Sequence, residues 1–196
     1  MNICVFCASS EAIDKEYLKA GEELGERLAK EGHTLVFGAG KYGIMGAVVR
    51  GLRREDGKAV GVIPRFFDSF DVMYTDCEII KTDTMRERKR IMEEMSDAFI
   101  MMPGGIGTFE EFFEVLTLKQ LGRHTKPIVI YNVNGYYDRL TAFINQSVSE
   151  GFISMDAIRV CSISGNLDDV FDIIKMPGKA FNKYHIMEGG YGEEQL

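Results

Sequence analysis

Short apolar runs alternate along this chain with longer stretches in which apolar residues return every three or four positions, the signature of βαβ units around a parallel sheet. Residues 2–7 read as a first buried strand, and Tyr17, Leu18, Leu24 and Leu28 then recur at helical spacing up to Gly32. Further strands are expected at 33–37, at 58–63 where Pro64 stops the run, at 77–81, at 98–102 before Pro103-Gly104-Gly105, at 128–131 and at 159–163. Between them one helix carries Ile44, Met45, Val48, Val49 and Leu52 on one face, and another covers 84–95. Phe109, Phe112, Phe113 and Leu116 open a third, and two more are expected over 135–150 and 167–174. Residues 65–75 keep no period and read as a loop. The expected fold class is α/β, a doubly wound parallel sheet with helices on both faces, in a single domain over residues 1–175. From 176 to 196 the chain is rich in Gly and Tyr without period, and this tail is expected to be mobile or to lie on a neighbour.

Composition narrows the partners. The 196 residues are 45% hydrophobic and 27% charged, the balance of a soluble globular chain able to bury one core. A formal net charge of −7 argues against the broad basic footprint that nucleic acid or an anionic membrane surface requires, so any phosphate is held locally. No apolar run approaches the ~20 residues that span a membrane, and no basic segment leading into an apolar stretch opens the chain; a reducing cytoplasm is expected. Among the four cysteines only Cys4 and Cys7 form a C-x-x-C, and strand alternation turns their side chains to opposite faces, which speaks against a metal or redox pair. No metal and no cofactor is called for.

In doubly wound sheets ligands bind beyond the carboxyl ends of the strands, and three such loops stand out. Ala8-Ser9-Ser10 follows the first strand with two small hydroxyls. Gly38-Ala39-Gly40-Lys41-Tyr42-Gly43 has the G-x-G-x-x-G spacing, in which Gly40 and Gly43 let backbone amides approach an anion; a tight turn packing helix on strand would use the same glycines. It follows the second strand and has no convincing acidic ribose partner about 20 residues on, so a dinucleotide site is poorly matched. The third loop, Pro103-Gly104-Gly105-Ile106-Gly107-Thr108-Phe109-Glu110-Glu111, is richer. Main-chain donors, the Thr108 hydroxyl and a helix dipole can grip phosphate there, while Thr108-x-x-Glu111 also reads as a capping box that does no chemistry.

The preceding helix sharpens the reading. At about 100° per residue, Met85, Arg88, Ile91, Met92 and Met95 fall in one stripe with Arg88 near its middle. Arg86, Glu87, Arg90, Glu93 and Glu94 lie opposite, as an ordinary solvated face with i,i+3 and i,i+4 pairs. A guanidinium stays charged, so a core-facing Arg88 needs either a carboxylate in an internal ion pair or a bound anion.

Met85-x-x-Arg88-Lys89 followed by Pro103-Gly104-Gly105-x-Gly107-Thr108-x-x-Glu111 resembles the two-part signature of the LOG ("Lonely guy") proteins, often labelled lysine decarboxylase-like. The likeness extends from Phe6-Cys7-Ala8-Ser9-Ser10 through Gly43-Ile44-Met45-Gly46, Gly61-Val62-Ile63-Pro64, Gln120-Leu121-Gly122 and Asn132-Val133-x-Gly135-Tyr136-Tyr137 to Gly151-Phe152-Ile153, nearly the whole chain up to Ile174. The resemblance implies a Rossmann-like fold, a homodimer with active sites at the subunit interface, and phosphoribohydrolase action on cytokinin riboside 5′-monophosphates or AMP. By motif, its catalytic pair falls on Arg88 and Glu111, and its nucleotide contacts on Lys89, Gly105, Gly107, Thr108, Glu110 and Thr117. Ser9, Gly40 and Gly43 join them as candidate substrate contacts from the loops described above. The chain departs from the family at Arg86, where histidine is usual, at Ala39 within a turn that is often three glycines, and over residues 65–75, which do not align.

Cleaving the bond between C1′ and the base makes an oxocarbenium-like sugar and an anionic leaving base, so the site needs a carboxylate near the sugar and a donor near the base. Glu111 suits the first role; Arg88, a poor proton donor, is left with hydrogen bonding to base or phosphate. The competing readings are a non-catalytic nucleotide-binding module and, from Gly38–Gly43 alone, an NAD(P)-linked oxidoreductase.

Overall fold

A computed structural model of the protein describes residues 1–178. Its strands are β1 (Asn2–Phe6), β2 (Thr34–Phe37), β3 (Lys58–Pro64), β4 (Glu78–Thr82), β5 (Ala98–Met101), β6 (Ile128–Tyr131) and β7 (Ser162–Ser164). The helices are α1 (Lys15–Lys30), α2 (Gly43–Arg54), α3 (Met85–Met95), α4 (Ile106–Gln120), α5 (Asp138–Ser149), α6 (Met155–Ile158) and α7 (Leu167–Lys175). The strands form one seven-stranded parallel sheet in the order β4-β3-β2-β1-β5-β6-β7.

The inner strands are almost wholly apolar because helices cover both faces of the sheet. Ile3, Val5 and Cys7 point toward α1, α2 and α7, where they pack with Leu24, Leu28, Val49, Leu52, Phe171 and Ile174. Cys4 and Phe6 point the other way, into a second core with Met92 of α3 and Phe112 and Val115 of α4. Strand alternation therefore separates Cys4 from Cys7, as their spacing predicts. The chain runs outward from β1 to β4 and returns through α3 to β5 on the other side of β1. That reversal opens a crevice beyond the carboxyl ends of β1 and β5, where ligands bind in sheets of this kind.

Three segments differ from the sequence reading. The final strand lies at Ser162–Ser164, because Ser154 caps the short α6 by accepting from the Ala157 N–H and draws residues 155–158 into a helical turn. As an edge strand bonded only to β6, β7 keeps Ile163 42% exposed and leaves no apolar run to read. The helix expected from 135 begins at Asp138, after a turn in which Asn134 and Gly135 both take positive φ. Residues 65–75 are an ordered strap: a 3-10 turn at Arg65–Phe67, then a bridge of Met73 to Gly40 flanked by Lys41 N–H to Val72 O at 2.9 Å and Tyr74 N–H to Ala39 O at 2.8 Å. Backbone bonds to a distant loop impose no side-chain period. Of the tail, Met176–Gly178 are described, and the expectation for the remainder lies outside the described residues. Among the described residues no helix is long and apolar enough to cross a membrane.

Candidate active site

A cleft of about 500 Å³ lies at the carboxyl ends of β1, β2, β3 and β5. Its floor follows from the way α4 begins. The helix starts at Ile106 with Gly105 as its N-cap, and no side chain caps it. The amides of its first turn have no intrahelical partner and carry the positive end of the helix dipole. Thr108 and Glu111 are inside the helix, so the capping box read from the sequence is not formed. A capping arrangement is found instead on α3, where Thr84 accepts from the Glu87 N–H at 3.1 Å and the Glu87 carboxylate accepts from the Asp83 N–H at 2.9 Å.

Freed from capping, Glu111 faces Arg88. Arg88 Nη1 donates to Glu111 Oε1 at 2.6 Å and Arg88 Nε donates to the Val62 carbonyl at 3.0 Å; both side chains are buried and both line the cleft. The two explanations of Arg88 thus converge, since its internal ion-pair partner is the other candidate catalytic residue. Burial pushes the Glu111 carboxyl up, and the Arg88 charge and hydrogen bond pull against it. Burial also pushes the Cys7 thiol up, with the Glu111 charge adding to it, so this cleft-lining cysteine is no thiolate nucleophile at neutral pH.

The other candidate residues divide. Ser9, Gly40, Gly105, Gly107, Thr108 and Glu110 line the cleft with the ion pair. A Cβ added at Gly105 or Gly107 would meet no atom within 4 Å, so no packing demands glycine there; what their bareness leaves open is the approach to the helix N-terminus. Gly40 has already committed its N–H to Met45 Sδ at 3.1 Å. Gly43 is buried at φ +59°, and a Cβ there would press within 2.6 to 2.8 Å of the Ser10 and Ala8 carbonyl oxygens; it packs α2 against the loop after β1 and does not line the cleft. Lys89 turns outward to Glu110, and to Glu114 at 2.6 Å. Burial disfavours its charge, yet the two carboxylates outweigh that and raise its pKa. Thr117 is not in the cleft: it lines a second hollow, lower on α4 beside α5 and β7.

Some residues that build the site carry no chemistry a sequence can display. Gly38 belongs to the G-x-G-x-x-G turn, yet its bareness makes room for an arginine: a Cβ there would stand 2.1 Å from Arg88 Nη2. Tyr136 donates to the Gly104 carbonyl at 2.9 Å and Tyr137 to the Met102 carbonyl at 2.8 Å, anchoring the glycine loop from below. The paired tyrosines after Gly135 were the only signal for that role. Among the described residues no group of three or more His, Cys, Asp or Glu side chains could hold a metal ion, and no lysine lines the cleft.

The profile of the protein family described as "Possible lysine decarboxylase" matches residues 45–174. A cytokinin riboside 5′-monophosphate phosphoribohydrolase of Arabidopsis thaliana is 38% identical over 174 residues, covering 88% of this chain and 82% of the relative. Another of that name, from Mycobacterium tuberculosis, is 41% identical over 168 residues, covering 85% of this chain and 89% of the relative. Among solved structures, the molybdenum cofactor binding protein of Rippkaea orientalis matches with a TM-score of 0.67 at 22% identity, covering 89% of this chain and 94% of that one. At that identity the likeness is one of fold.

Proposed function

The chain belongs to the family described as possible lysine decarboxylases, of which named relatives are cytokinin riboside 5′-monophosphate phosphoribohydrolases, and from that premise we propose that it hydrolyses the N-glycosidic bond of a nucleoside 5′-monophosphate. The products are the free base and ribose 5-phosphate. The observation that carries this reading is the buried Arg88–Glu111 pair, set in a cleft between an open helix N-terminus and an apolar wall. The bare amides around Gly105–Thr108 suit the phosphate, which brings the sugar beside Glu111. There the carboxylate steadies positive charge growing on the ribose and takes a proton from the attacking water. A carboxyl raised by burial is a better base than an exposed one. Arg88 orients Glu111 and, as a fixed donor, can stabilise the departing base or the phosphate. The oxygen of water goes to C1′ and its proton ends on the base. Although the family label speaks of decarboxylation, no lysine among the described residues lines the cleft to form a Schiff base with a carbonyl cofactor.

The proposal includes a homodimer. Phe113 and Phe152, which line the hollow beside α5, are 39% and 81% exposed, Phe143 on α5 is 64% exposed, and α5 itself contains no buried residue. An apolar surface of this kind gains from cover, and a symmetric partner supplies it. A cytoplasmic location fits the four cysteines, all of them free.

Incubation of the purified protein with AMP, N6-isopentenyl-AMP and the matching nucleosides tests the reading by chromatography of free base. Monophosphates should react far faster than nucleosides, because phosphate binding energy positions the reacting bond. Equal rates would overturn the phosphate site, and tight binding with no base released would return the chain to a non-catalytic nucleotide-binding module.

A further inference from the structure

The turn between β5 and α4 is held by its carbonyls. Tyr137 Oη donates to the Met102 carbonyl at 2.8 Å and the Ala8 N–H to the Pro103 carbonyl at 3.0 Å. Tyr136 Oη donates to the Gly104 carbonyl at 2.9 Å, and the Phe109 N–H to the Gly105 carbonyl at 3.0 Å. Every carbonyl from Met102 to Gly105 is thus committed to the protein. The amides that follow are not: among the described residues the N–H groups of Gly105, Ile106, Gly107 and Thr108 have no acceptor.

In a trans peptide group the C=O and the N–H that follows it point in opposite directions. A hydroxyl on the Gly104 carbonyl therefore turns the Gly105 N–H away from Tyr136. Gly104 is buried, whereas Gly105 is exposed and lines the cleft; Tyr136 is not among the cleft's lining residues. The bond acts from behind the loop and leaves the Gly105 amide on its open side. A peptide between two glycines turns over readily, since neither flank carries a side chain to resist it. Turned over, it would set the Gly104 carbonyl toward a bound phosphate and repel it.

Tyr137 makes the same kind of bond with a different consequence. The residue that follows Met102 is Pro103, which has no N–H, so holding the Met102 carbonyl aims no donor. Both tyrosines are set by the turn before α5. Asn132 Oδ1 accepts from the Tyr137 N–H at 2.7 Å while Asn132 Nδ2 donates to Asp138 at 2.7 Å. The Tyr136 ring stands edge-on between those of Tyr17 and Tyr137, with centroids 5.9 and 4.8 Å away.

We infer that Tyr136 is a positioning residue for the phosphate: its hydroxyl locks the Gly104–Gly105 peptide with the amide facing the substrate, while Tyr137 beside it secures the root of the turn. This deepens the nucleotide reading given above and rests on it. The substrate's phosphate then meets an amide whose direction is fixed before binding, so no part of the binding energy is spent on turning the loop.

Calorimetry with ribose 5-phosphate and steady-state kinetics on AMP and adenosine, in Tyr136→Phe, Tyr137→Phe and the unsubstituted protein, test this directly. Tyr136→Phe keeps the ring and its edge contacts, so its melting temperature should stay nearly level. Ribose 5-phosphate should bind it about fivefold more weakly, and KM for AMP should rise by about the same factor. Its kcat should stay within about twofold, because the phosphate keeps its charge through the reaction and the lost grip is common to ground and transition states. Turnover of adenosine, which has no phosphate, should not change. Tyr137→Phe leaves the Met102 carbonyl unpaired in the core and should lower the melting temperature by a few degrees, with ribose 5-phosphate bound within about twofold of normal well below melting. Undiminished ribose 5-phosphate affinity in Tyr136→Phe, a matching loss in Tyr137→Phe, or an equal fall on AMP and adenosine would overturn the inference. Failure of ribose 5-phosphate to bind the unsubstituted protein would overturn it together with the phosphate site. The expected loss of ribose 5-phosphate affinity in a protein that releases no base from AMP would leave the positioning role standing and remove only the hydrolase.

Discussion

Two hollows share α4, and they are nearly equal in volume, about 500 Å³ at its first turns and about 460 Å³ further along. They differ in charge. The first keeps a buried ion pair, bare glycines and a hydroxyl; the second is walled by Phe112, Phe113, Leu116, Ile130, Phe152 and Ile153. Desolvating Arg88 and Glu111 works against folding, because a buried pair recovers only part of the hydration it loses. No charged side chain lines the second hollow, and covering it would release water from apolar surface. Volume alone therefore does not distinguish a reaction site from an assembly surface. The difference lies in which hollow holds charges that the fold alone would do better without.

Glu111→Gln breaks the comparison where the largest effect is expected. Gln keeps the size of the side chain and an oxygen for Arg88, but not the charge. Base release from AMP should fall in kcat by about a hundredfold or more, with the melting temperature nearly level. Near wild-type turnover would reduce the pair to a structural one and move attention to Glu110, which lines the same cleft.

A smaller effect is expected at the second hollow. Phe113→Asp combined with Phe152→Asp should weaken a dimer built on that face by about tenfold or more, read by light scattering over a micromolar dilution series. Because Thr117 lines that hollow and not the cleft, dilution should also show whether turnover depends on the partner. A double variant that remains dimeric would leave the apolar face without the assembly role proposed for it.

The smallest effect separates pH-dependent stability from pH-dependent catalysis. His33, in the first core, stacks on Phe171 with ring centroids 6.2 Å apart, and neither ring nitrogen has a hydrogen-bond partner. Burial lowers its pKa; the chain N-terminus and Lys175 lower it further, against Glu31, whose carboxylate lies 3.6 Å away. A depressed histidine favours the neutral folded form. Its contribution is full above the unfolded value of about 6.5 and is lost as pH falls from there through the folded pKa. Melting temperature should drop by a few degrees across that window, since each kcal/mol is worth about 2–4 °C in a chain of this length, and His33→Phe should flatten the drop. A kcat profile that changes along with melting in His33→Phe would mean that the acid limb of activity reports unfolding and not Glu111.

The repeating pattern of buried strand and amphipathic helix was legible because a parallel sheet covered on both faces imposes apolar runs that local periodicity cannot hide. Arg88 was legible for the same reason: a charge at the centre of an apolar stripe breaks a pattern read over a few turns. The glycine loop before α4 was visible as composition. The start of that helix was not, since Thr108-x-x-Glu111 fits a capping box as well as an interior turn, and only Gly105 in the N-cap position decides between them. Gly43 stood in a spacing that suggested an anion site but serves packing, while Gly38 in the same turn makes space for a guanidinium from a helix 50 residues away in the chain. Hydropathy and spacing act over one or two turns of chain, so the sequence by itself determined the sheet, its two covering layers and the motifs on its loops. The partner of Arg88, the strap bonded to the turn after β2 and the assignment of Thr117 to the second hollow depend on segments brought together by the crossover through α3. Contacts of that kind leave no period in the chain, and tertiary structure alone decided them.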